Sequence, residues 1–169
     1  MNAAARMQIG EGFAGDGPNA AHVNTVLGRK DGPVGTAWAT SLATPRQGHV
    51  PFVVVLRPNM AVKPATLFVN KADIRSDLHA ALTWGAAQAG VAQGVLQAVA
   101  DGAVPAGELD DLVLLAAVWV DWAAADEEEV YANNLRATRE ALAAGAEGRP
   151  RVEDLLTAGE PENPFFRSG

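Results

Sequence analysis

The chain has 169 residues, 49% of them apolar and 20% charged, a length and balance that suit one globular domain with a real core. Its formal net charge is −7, and no Lys/Arg cluster interrupts the acidic surface, which argues against a nucleic-acid partner. Cysteine is absent, so disulfides, thiol nucleophiles and thiolate metal sites are excluded, and the three histidines, His22, His49 and His79, form neither an HxH nor an HExxH spacing, so no metal site is expected. The opening MNAAARMQIG lacks an apolar h-region and is not expected to act as a signal peptide. The longest apolar run, Leu112 to Val120, is too short to cross a bilayer, and a cytoplasmic location is the default expectation.

In chain order, Gln8 to Ala14 reads as a strand ended by the turn cluster Gly15-Asp16-Gly17-Pro18. Ala21 to Leu27 reads as a second strand, whose alternation places His22, Asn24 and Val26 on one face. Gly32-Pro33 opens a helix to about Ala43, because proline is tolerated at the first helical position. Val50 to Leu56 has the composition of a strand buried on both faces. Thr66 to Ile74 reads as a further strand, with Leu67, Val69, Lys71 and Asp73 on a common face.

Ser76 can cap a helix starting at Asp77 and reaching Ala100. Gly85, Gly90 and Gly94 weaken its interior, so a break or offset is expected near Trp84-Gly85, and Gly102 stops it. Leu112 to Trp122 reads as a long apolar strand. A helix follows from Asp126 to about Ala144, with acidic residues in its first turn, an inward stripe of Tyr131, Leu135, Thr138 and Leu142, and Gly145 as its stop. Arg149-Pro150 opens a short helix to about Leu156, and residues 157–169 read as a tail that Phe165 and Phe166 could dock. The whole reads as a single α/β domain, residues 1–169, in two layers. Periodicity alone attaches no function to it.

Three segments carry a resemblance. They are Gly15-Asp16-Gly17 followed by Ala21-His22; the block RPNMAVKPATLFVNKADI from Arg57 to Ile74; and the stretch from Gly85 to Trp122, with Gly85-x-Ala87-Gln88, Pro105, Asp110-Asp111-Leu112 and an apolar strand ending in tryptophan. In order and spacing this pattern, covering about residues 8 to 148, resembles the formaldehyde-activating enzyme family. The resemblance implies a two-layer α/β sandwich of the ribosomal-protein/GHMP-kinase-like kind and a homopentamer with a reduced pterin lying between subunits. It implies condensation of formaldehyde with tetrahydromethanopterin to methylene-tetrahydromethanopterin and water, with the pterin as co-substrate and no tightly bound cofactor or metal.

By the same resemblance, His22 matches the catalytic histidine, whose imidazole can give a proton to a leaving oxygen near neutral pH. Asn24, Val53, Lys71, Asp73 and Gln88 match substrate-binding positions. A lysine in an apolar strand is costly without a purpose, and an amide can meet both donors and acceptors on a pterin edge. His49 and His79 are expected to do no chemistry, Trp119 and Trp122 to serve core or interface, and Asp110-Asp111 to be turn residues or caps.

The chain departs from the family pattern where Asn24 replaces aspartate, Asp73 replaces threonine, Asp121 replaces histidine, and Asn163-Pro164-Phe165 replaces His-Pro-Phe. Asp73 could supply the carboxylate lost at Asn24, or pair with Lys71. These departures suggest a diverged paralogue. Three readings stay open: the family enzyme, a non-catalytic protein that binds or senses a pterin or formaldehyde, and an enzyme using a related reduced carrier or another aldehyde.

Overall fold

The computed structural model describes residues 7–163. The chain runs through β1 (Gln8–Ala14), β2 (Ala21–Arg29), α1 (Pro33–Ala43), β3 (Phe52–Val53), β4 (Val55–Arg57), β5 (Met60–Ala61), β6 (Ala65–Asn70), α2 (Asp77–Ala81), a π-turn (Leu82–Ala87), α3 (Gln88–Ala100), β7 (Leu112–Trp119), α4 (Glu127–Glu147) and α5 (Val152–Thr157). A five-stranded sheet has the order β1-β2-β7-β6-β3, and β4 and β5 form a separate hairpin. Every pairing in the large sheet is antiparallel except β6 with β7, which is parallel. The mixed α/β class agrees with the sequence reading.

Strand alternation divides the sheet into two faces. On one, Val23, Phe68 and Leu114 are fully buried with Val91 and Val95 of α3 and Ala137 and Ala141 of α4. Small residues set that packing distance. A methyl added at Gly10 would lie 1.8 Å from the Ala141 carbonyl oxygen, and one at Gly12 would lie 2.1 Å from that of Ala137. The opposite face is covered near one end, where Val34 of α1 sits over Gly28. Towards the other end it is half-open, and His22, Asn24 and Trp119 lie there.

Several element ends differ from the sequence expectation, each for a local reason. The run Val50 to Leu56 is not one strand buried on both faces. It breaks at Val54, whose N–H donates to Thr66 while its carbonyl accepts from Val62, so the chain leaves the large sheet for the hairpin. Val50 and Leu56 are exposed. β6 stops at Asn70, not Ile74, because the Asn70 side-chain amide donates to the carbonyls of Gly48 and Ala72, both at 2.7 Å, and turns the chain. β7 stops at Trp119, not Trp122, and the carboxylate of Asp121 then accepts from the Ala123 N–H at 2.8 Å.

The helices show the same balance. Ser76 caps α2 by accepting from the His79 N–H at 3.1 Å, and the expected offset is present as the π-turn containing Trp84-Gly85. In α4 the cap is Asp126, Gly145 is interior, and the stop is Gly148 with φ +67°. Of the expected inward stripe of α4, Thr138 and Leu142 are buried, Leu135 is half-buried and Tyr131 is exposed, and Val130, Asn134, Ala137 and Ala141 are buried with them. Close approach by Gly10, Gly12, Gly90 and Gly94 favours alanine, asparagine and threonine where those glycines meet the helix. The expected docking by Phe165 and Phe166 lies outside the described residues.

Candidate active site

Register builds the site. Antiparallel pairing places Glu11 beside Asn24, Phe13 beside His22, and His22 beside Trp119. The Lys71 N–H donates to the Val118 carbonyl at 2.8 Å, so the backbone continues the β6–β7 pattern one residue beyond the strand. Lys71 therefore stands next to Trp119, on the same half-open face as the β2 residues.

The side chains converge there. Lys71 Nζ donates to Asn24 Oδ1 at 2.7 Å and lies 3.2 Å from His22 Nδ1. On the other side of the ring, His22 Nε2 lies 3.1 Å from Glu11 Oε1. An ammonium can only donate, so beside a charged Lys71 the Nδ1 atom is the acceptor and the ring proton sits on Nε2, aimed at Glu11. Phe13 packs against the imidazole at 6.3 Å between ring centroids. Both nitrogens of His22 are thus oriented.

The electrostatics follow from half-burial with few charges. Desolvation lowers the Lys71 ammonium to about 8, opposed by the Glu11 carboxylate. Desolvation, then the nearby Lys71 charge, lowers the His22 imidazole, and Glu11 acts against both. Lys71 is left with two uncharged hydrogen-bond partners, an amide oxygen and an imidazole nitrogen.

Of the six residues singled out in the sequence, His22, Asn24 and Lys71 meet in this cluster. Val53 and Gln88 line a different depression, of about 340 Å³, with Val50, Phe52, Val55 and Trp84 at the β3 edge. There the Gln88 Oε1 accepts from the Val55 N–H at 2.7 Å. Asp73 joins neither group. It lies past the end of β6, where alternation no longer places it beside Lys71, and its carboxylate is 3.4 Å from Arg75. Arg75 in turn stacks over the ring of Trp122, which donates to the Asp73 carbonyl at 3.0 Å. The pairing of Asp73 with Lys71 is not formed.

Glu11 is the residue that sequence reasoning missed. Only the β1–β2 register reveals it, although strand alternation already places it between Ile9 and Phe13 on a single face. His79 is buried, with Nε2 3.0 Å from the Val120 carbonyl, and His49 Nδ1 lies 2.9 Å from that of Asn70. Asp110 pairs with Lys63, and Lys30 donates to its carbonyl at 2.6 Å, so the acidic pair closes a turn.

Residues 9–165 match the family described as Formaldehyde-activating enzyme (Fae). The chain belongs to the formaldehyde-activating enzyme family. It is 44% identical to the 5,6,7,8-tetrahydromethanopterin hydro-lyase of Methanosarcina barkeri, over 95% of this chain and 90% of that protein. It is also similar to two proteins named Bifunctional enzyme Fae/Hps. The identity is 39% for that of Methanosphaera stadtmanae, over 88% of this chain, and 39% for that of Methanococcoides burtonii, over 89%. The match spans 37% and 38% of the length of those relatives. Among the described residues no helix is long and apolar enough to cross a membrane.

Proposed function

We propose that the protein condenses formaldehyde with tetrahydromethanopterin to give methylene-tetrahydromethanopterin and water, acting as a hydro-lyase. The observation that carries this reading is the convergence of His22 and Lys71 at 3.2 Å, in a chain 44% identical to a hydro-lyase named for that pterin.

The chemistry needs two things from the protein. The reactants must be held together, which removes an entropic barrier, and the carbinolamine formed by the first addition must lose its hydroxyl as water. Expelling hydroxide is slow near neutral pH, so a positioned acid helps. His22 is the acid of this proposal, with Glu11 holding its ring and stabilising the imidazolium. Asn24 and Lys71 offer polar contacts on one side of the substrate, and Val53 and Gln88 line another, while Asp73, turned to Arg75, is left out of both.

The cluster and the β3-edge depression are distinct surfaces of one chain. Assembly into a homo-oligomer, a pentamer by family likeness, with the carrier bridging two copies, is part of the proposal and is checked by solution mass measurement. No tightly bound cofactor is required, and a cytoplasmic setting suits substrates of this kind.

Turnover is measured by loss of free carrier on adding formaldehyde, against a protein-free control, because condensation also proceeds unaided. Acceleration by the wild type that His22→Ala loses is the expected result. Saturable carrier binding without acceleration would replace the enzyme by the binding protein. Acceleration only with a folate-type carrier would assign the related-carrier reading, which Asn24 favours as a change within the site.

A further inference from the structure

We propose that Lys71 is a covalent nucleophile: its Nζ adds to formaldehyde and holds the carbon as a protonated imine, which the amine of the carrier then takes over. This rests on the formaldehyde chemistry proposed above and deepens it by assigning the group that first bonds the carbon.

The geometry supplies a nucleophile, a base and an orienting group in series. Nζ of Lys71 faces Nδ1 of His22 at 3.2 Å, and Nε2 of His22 faces Glu11 at 3.1 Å. Ordinary lysines are weak nucleophiles because their proton is held tightly. Here desolvation holds the ammonium at about 8, and Asn24 offers it an amide oxygen in place of a carboxylate. Lys71 has no ion pair among the described residues, unlike Lys30 with Asp111 and Lys63 with Asp110.

The steps balance. The Lys71 ammonium passes a proton to Nδ1, and the resulting imidazolium keeps its other proton on Nε2, where it donates to the Glu11 carboxylate. The free amine adds to the formaldehyde carbon, and after transfer of an amine proton to the oxygen a carbinolamine stands on Nζ. The Nδ1 proton returns to the hydroxyl, water leaves, and Lys71 carries the CH2 group as a protonated imine while His22 is again neutral. The first carrier amine adds to that carbon, Nζ departs, and the second amine closes the ring. The two protons lost by the carrier amines restore the Lys71 ammonium.

The test uses the whole protein, carbon-13 formaldehyde and cyanoborohydride, without pterin, near pH 7. Reduction of the imine leaves a labelled methyl group, located by peptide mass spectrometry. Lys71 is expected to label about tenfold faster than Lys30 and Lys63, the gain in free amine exceeding the loss in basicity. His22→Ala slows labelling at Lys71 and leaves Lys30 unchanged, and Glu11→Gln, which removes the carboxylate that raises the Lys71 ammonium, moves the pH profile of Lys71 labelling down. Lys71→Arg keeps a cation but cannot form the imine, so its turnover falls to the spontaneous rate. Labelling of Lys71 no faster than of Lys30 and Lys63, or wild-type turnover in Lys71→Arg, overturns the proposal. Because labelling needs no carrier, rapid labelling with no pterin turnover would reject the enzyme reading while keeping the covalent capture.

Discussion

The amide oxygen of Asn24 accepts from the Lys71 ammonium at 2.7 Å, at a position where the sequence resemblance leads one to expect a carboxylate. Asn24→Asp would place a negative charge against Nζ. The pKa of Lys71 is expected to rise from about 8 by roughly one to three pH units. The pH midpoint of Lys71 labelling should rise with it, and labelling near pH 7 should slow. Asp73→Thr should leave that midpoint in place, because Asp73 faces Arg75. The double variant should be additive within experimental error; a strong non-additive term in carrier binding would restore a link between positions 24 and 73.

Lys71 also makes stability depend on pH in a definite direction. Folding lowers its pKa from 10.5 to about 8, so between those values the unfolded chain binds more protons than the folded one. The cost of the half-buried charge is therefore full below about pH 8 and fades as pH rises to 10.5. Lys71→Met is expected to be more stable than the wild type at pH 7, with the gap closing across that window. Its partial exposure keeps the effect below what the whole change in pKa would imply. Urea midpoints of both proteins at several pH values measure it.

Two glycines separate packing from propensity. At Gly12 a methyl would meet the Ala137 carbonyl oxygen at 2.1 Å, so Gly12→Ala must push α4 away and should cost roughly 3 kcal/mol. Glu11 is the adjacent residue, so the variant should also lose turnover at temperatures where it remains folded. At Gly85 a methyl meets nothing within 4 Å, and Gly85→Ala should stabilise by about 0.5–1 kcal/mol through the unfolded chain. Denaturant midpoints that move the same way for both variants would contradict this account.

Gln88 couples the β3-edge depression to the backbone. Gln88→Met keeps the volume but leaves the Val55 N–H without its 2.7 Å partner. Stability should fall by about 1 kcal/mol, and carrier affinity by about tenfold. The exposed indole of Trp84 lines the same depression and gives a fluorescence signal for the titration. Unchanged affinity would remove this surface from the carrier site.

What could be read in advance was what repeats along the chain. Alternation marked β1 and β2 and placed His22 with Asn24, and the glycine at position 85 marked the irregular turn. What could not be read depends on partners distant in sequence. The ends of β6 and β7 are fixed by the Asn70 amide and the Asp121 carboxylate, neither of which alters the hydropathy pattern. Extending β6 four residues too far put Asp73 on the face of Lys71, and the real turn sends it to Arg75. Glu11 became visible only through its register against β2.

The π-turn at Leu82–Ala87 acts as a setting of angular phase. One additional residue in a helix rotates everything downstream by about 100°. That rotation brings Gly90 and Gly94 round to the backbone of α4 and swings Gln88 towards Val55. Removing a single residue between positions 82 and 87 would turn both glycines off the contact and withdraw the amide from the β3 edge together. The spacing of two helices and the lining of one depression are thus wound on the same thread, and neither can be retimed alone.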